Sequence, residues 1–120
     1  MNVPTSVRIN GVEYAVIEVD NLNNGINLAY GNIDYEENVI RINKDRNIDH
    51  QKKCLILLHE IMHGICEARG LDLGTDEEKI VDAFARGVYQ VIEDNAPRFF
   101  KEEKNDVHRK SESKNRRAAT

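Results

Sequence analysis

His59-Glu60-Ile61-Met62-His63 sets two imidazoles four positions apart, with a carboxylate beside the first. On a helix, four positions turn 400°, so both rings leave one face about 6 Å apart and can grip one tetrahedral metal ion. Glu60 stands about 100° round from His59, close enough to reach a water on that metal without ligating it. A zinc ion in such a site brings the pKa of water to about 7, and the neighbouring carboxylate can take the proton as the water attacks a carbonyl. The spacing therefore points to metal-assisted hydrolysis. The competing reading, three polar groups packed into a buried helix, leaves each of them needing a partner.

The chemistry requires that this pentapeptide be helical, and its surroundings predict that independently. Asp49 stands in N-cap position before HQKKCLILLHEIMHGICEAR, and Gly70 follows in C′ position. The run is apolar nearly all round (Leu55, Ile56, Leu57, Leu58, Ile61, Met62, Ile65), which predicts a central, buried helix. A second helix is expected to start at a capping box on Thr75 and to stop before Pro97, with Ile80, Val81, Phe84, Val88, Val91 and Ile92 facing inward.

Upstream the pattern is β. TSVRI and VEYAVIEV flank Asn10-Gly11, a strong hairpin signal. NLNNG reads as a polar loop, and LAYGNIDY and VIRIN, separated by Glu36, Glu37 and Asn38, form a second antiparallel pair. The expected fold class is α+β, with a small antiparallel sheet of three to four strands in a meander, followed by two long helices. Residues 1–100 form one domain in this reading, and residues 101–120 a charged, disordered tail, with Phe99 and Phe100 tucked against the core.

A chain of 120 residues leaves no room for a second domain. The first hundred residues carry ten basic and seventeen acidic side chains, a poor match for a polyanion, so nucleic-acid binding by the core is disfavoured. The apolar stretch 54–66 is too short and too polar for a membrane span, and the N-terminus has no leader pattern, so the cytoplasm is expected. Cys54 and Cys66 lie about 18 Å apart on one helix and should be free thiols.

Two histidines and a water leave one metal ligand to find. Glu78 and Asp82 lie one turn apart on the second helix, so Glu78 can ligate while Asp82 accepts the N–H of a ligating imidazole. Glu77 is the alternative third ligand, and Glu78 has a competing role as the N3 residue of the capping box. His50 falls on the opposite face of the first helix, His108 lies in the tail, and Cys66 is expected as a small buried side chain. Tyr30, Tyr35 and Tyr89 are all candidates for stabilising an oxyanion.

HEIMH followed by Glu78-x-x-x-Asp82 resembles the gluzincin metallopeptidases. With LAYGNIDYEENVIRIN before it and EEKIVDAFARGV after it, the chain over residues 33–95 looks more like the ImmA/IrrE group of small bacterial and phage metallopeptidases. The resemblance implies a zincin-like fold, one zinc ion per chain, His59, His63 and Glu78 as ligands, and Glu60 as general base. It also implies a protein substrate, often a transcriptional repressor. A strand beside the metal helix, AYGNIDY or VIRIN, is expected to offer an edge for an extended peptide. Two other readings are a zinc-stabilised, phage-encoded binding or antagonist protein with little catalysis, and an SprT-like protease, which the acidic core disfavours.

Overall fold

The computed structural model describes residues 1–22, 30–44 and 47–100. Strands β1 (Ser6–Ile9) and β2 (Val12–Val19) form the expected hairpin, and Asn10 and Gly11 both take positive φ, 50° and 83°, as a type I′ turn requires. Strands β3 (Gly31–Asp34) and β4 (Val39–Asn43) pair antiparallel, as expected. Asp34 closes their turn by accepting the backbone N–H groups of Glu36 and Glu37, each at 3.0 Å. The loop expected at residues 21–25 is only partly described, and residues 23–25 fall outside.

The sheet is mixed rather than antiparallel, and it is not a meander. Its order is β1-β2-β4-β3, with β4 parallel to β2, Val16 facing Ile40 across the pair. The chain reaches the far edge as β3 before turning back. That inversion puts β4, the strand with two fully buried isoleucines (Ile40 and Ile42), in the interior and leaves β3 outside.

Helix α1 (His50–Arg69) has the predicted ends: the Asp49 carboxylate accepts from the Lys52 N–H at 2.8 Å, and Gly70 is left-handed. It lies on the sheet, touching β1, β3 and β4, and its other side packs against α2 (Glu77–Phe99). Leu57 sits in one cluster with Ile9, Val16, Ile40, Ile42 and Ile56. Two glycines allow this close seating. A Cβ on Gly64 would come within 2.8 Å of Ile9 Cδ1, and one on Gly31 within 2.5 Å of Ile56 Cγ2.

Helix α2 departs from expectation at both ends and along its face. No capping box forms: a short 3₁₀ turn, Gly74–Asp76, precedes the helix, the Asp72 carboxylate accepts the Gly74 N–H, and the Glu78 carboxylate is drawn to the histidines instead. Pro97 does not stop the helix. In the last turn it forfeits only one backbone bond, and the Phe100 N–H still reaches Ala96 O. Of the six residues expected inward, only Val81 is fully buried, joined by Ala85, whereas Phe84 and Val91 are exposed, as are Phe99 and Phe100. The cause is that, among the described helices and strands, α2 packs lengthwise on α1 only, so its apolar stripe is wider than its contact.

Both cysteines are free and buried. Among the described residues, no helix is long and apolar enough to cross a membrane. The segment 101–120, with His108, lies outside the described residues.

Candidate metal centre

Two turns of α1 and the first turns of α2 bring the site together. His59 Nε2 and His63 Nε2 face each other at 3.2 Å, and the Glu78 carboxylate closes the triangle, 3.2 Å from His59 Nε2 and 2.6 Å from His63 Nε2. The rings cross edge to face with centroids 4.9 Å apart. Together His59, His63 and Glu78 form a group that can hold a metal ion.

The outward nitrogens are held as well. His59 Nδ1 lies 3.4 Å from Asp82 Oδ1, and His63 Nδ1 lies 2.7 Å from Glu77 Oε2. Each ring thus turns Nε2 to the centre and leaves Nδ1–H for a carboxylate, the arrangement that fixes ring orientation in metal sites and raises ligand basicity. Burial lowers the pKa of His63, but the Glu77 hydrogen bond and the charges of Glu78 and Glu60 outweigh it, and the net shift is upward.

Glu60 is buried beside the pair, and its Oε2 lies 3.3 Å from where a Cβ on Gly31 would stand, so β3 runs directly against this carboxylate. Burial pushes its pKa up and the two histidines pull it back, leaving it above the ordinary glutamate value. In front of these groups opens a cleft of about 1230 Å³, lined by His59, Glu60, His63 and Glu78 on the helices and by Tyr30, Gly31, Asn32 and Ile33 from the sheet side.

His59, Glu60, His63, Glu78 and Asp82 line one cleft, and the alternatives separate. Glu78 faces both Nε2 atoms, whereas Glu77 supports His63 from behind. Asp82 supports His59 and is itself held by Arg86 at 2.9 Å, the guanidinium beside it keeping its carboxyl below the usual range. Cys66 is not in the metal-binding group, and His50 reaches away to the Met1 carbonyl at 2.8 Å. Of the three tyrosines, Tyr30 and Tyr35 line the cleft and Tyr89 does not. Burial, then the charges of Glu67 and Glu77, push the Tyr35 hydroxyl up to about 12, so it stays protonated and able to donate.

Two contributions were missed by the sequence reading: Glu77 as the support of His63, and Gly31 as the gap that admits β3 to Glu60. Glu77 had a signal in the paired acids Glu77-Glu78, one facing each side of an imidazole. Gly31 had none, because the need for it arises from a strand that is remote in sequence. Of the two strands proposed as a peptide-binding edge, β4 is paired on both sides and is excluded, whereas β3 pairs only with β4 among the described residues and borders the cleft. No known protein family, curated protein or solved structure matches the chain.

Proposed function

We propose that this chain is a zinc-dependent endopeptidase that cuts a peptide bond in a protein substrate, with zinc held by His59, His63 and Glu78 and with Glu60 as general base. The observation that carries this reading is the convergence of two imidazole nitrogens and one carboxylate, each imidazole backed by a carboxylate of its own, beside a buried glutamate at an open cleft. The donor set fits zinc. Two imidazole nitrogens and one carboxylate are donors that zinc takes, and three protein ligands would leave a position free for water, as in catalytic rather than structural sites. When bound, zinc supplies a Lewis acid that polarises a carbonyl and acidifies water.

The chain's own groups do the rest. Glu60 takes the proton of the attacking water and hands it to the leaving amine nitrogen, and its raised pKa brings it nearer the working pH at which such a transfer is efficient. Glu77 and Asp82 keep both imidazoles oriented. The open edge of β3 receives an extended peptide as an added strand, which brings a carbonyl past Glu60. Tyr35 donates to the oxygen on which negative charge develops. The ImmA/IrrE-like stretch favours a regulatory protein of the cytoplasm, such as a repressor, as substrate.

Elemental analysis of the purified chain tests the reading first. About one zinc per chain is expected in the wild type and none in His59→Ala, while Glu60→Gln keeps its zinc and loses hydrolysis of a protein substrate. A wild type that takes up no metal on titration overturns the proposal, and a Glu60→Gln variant with full biological effect overturns its catalytic half.

A further inference from the structure

The flank of α2 turned away from Glu78 and Asp82 is apolar and bare. Phe84, Val91 and Phe99 are 62%, 50% and 57% exposed, and with Ala83, Gly87 and Val88 they line a groove of about 630 Å³. Residues 101–120, which follow in sequence, contain one aliphatic side chain larger than alanine, Val107. A contiguous apolar strip of this kind on a small protein marks an interaction surface.

We propose that this groove binds a second copy of the chain, α2 lying antiparallel on α2 about a twofold axis at Gly87. Three features fit that occupant. The middle of the strip is small, Ala83 and Gly87 one turn apart, and a Cβ built on Gly87 meets nothing within 4 Å, so another helix can come close there. Around an axis at Gly87 large meets small, since Val91 of one copy lies opposite Ala83 of the other, with Phe84 next to it. One charge pair beyond them is also self-complementary in this register: Asp76, just before the helix, falls opposite the second copy's Arg98. Neither Asp76 nor Arg98 has an ion-pair partner among the described residues. A parallel pairing would set each charge on its own kind. The contact is isologous, so it closes at two copies, and it leaves the metal cleft open on the other side of the helix.

The test is the mass of the full chain in solution, by sedimentation equilibrium from micromolar to millimolar concentration. A species of twice 13.8 kDa is expected for the wild type. Phe84→Glu with Val91→Glu should weaken it by more than about 100-fold, because like charges are forced together in the middle of the contact. Both positions are exposed, so the circular dichroism and metal content of this variant should match the wild type, which separates this proposal from the metal site. Gly87→Cys should cross-link to a disulfide dimer on mild oxidation, and Arg69→Cys, on α1, should not. Asp76→Lys should weaken the dimer, and adding Arg98→Glu should restore it. The proposal is overturned by a wild type that stays monomeric at millimolar concentration, by a dimer indifferent to the glutamates, or by Gly87→Cys that cross-links only to a different protein in a lysate.

Discussion

The two helices contribute to one site from opposite circumstances. α1 is held on two sides, by the sheet and by α2, whereas α2 packs on α1 and, among the described residues, is tied elsewhere by the Met1 ammonium on Glu93. The side chains follow suit: those of His59 and His63 are 18% and 13% exposed, while that of Glu78 is 76% exposed. α1 therefore presents a rigid imidazole pair, and α2 brings carboxylates to it from a first turn that has no side-chain cap of its own. An ion held by His59, His63 and Glu78 would tie the exposed carboxylate to the buried imidazole pair, coupling metal binding to the start of α2.

Core truncation should expose the difference most strongly. Leu57→Ala, between sheet and helices, is expected to cost about 2–5 kcal/mol in denaturant unfolding, and Gln90→Ala on the exposed side of α2 no more than about 0.5 kcal/mol. Comparable losses would erase the contrast.

Chelation should act on one side only. A metal present at a hundred times its dissociation constant adds about 2.7 kcal/mol, and its removal should lower Tm accordingly. Hydrogen exchange should then rise at residues 77–82 and stay unchanged in the middle of α1.

The supporting carboxylates come next. Glu77→Gln and Asp82→Asn should each weaken metal affinity about 10–100-fold without changing the one-to-one stoichiometry, as competition with a chelating dye would show. Glu77→Gln should be the more damaging, since its contact is 2.7 Å against 3.4 Å for Asp82.

The smallest effect lies in the turn that steadies β3. The N–H groups of Glu37 and Glu36, with Arg41, hold the Asp34 carboxyl below its ordinary value. A depressed folded-state pKa contributes stability that is present above the ordinary carboxylate range, about 4, and is lost as pH falls through the depressed value. Wild-type Tm should therefore decline more steeply on acidification below about pH 4 than that of Asp34→Ala. Parallel curves would deny the turn this role.

What could be read in advance was local. Asp49, Gly70 and Asn10-Gly11 act through bonds spanning a few residues, and each did what its chemistry predicts. His59, Glu60 and His63 share a face because helical pitch requires it. Thr75 misled because a capping box is local too, but Glu78 had a stronger offer from two imidazoles remote in sequence. Phe84 and Val91 misled for a related reason: periodicity identifies an apolar stripe but not how much of it finds a neighbour.

By itself, then, the sequence determined the helix of the histidines, its two ends, the first hairpin, and the pairing of β3 with β4. These rest on interactions within one element or across one turn. Only the tertiary structure decided that β4 lies parallel beside β2, that Glu78 faces both Nε2 atoms while Glu77 stands behind His63, that Gly31 lets β3 reach Glu60, and that one flank of α2 is left open among the described residues. Each of those turns on which surface meets which, and burial and charge settle that between segments the chain keeps far apart.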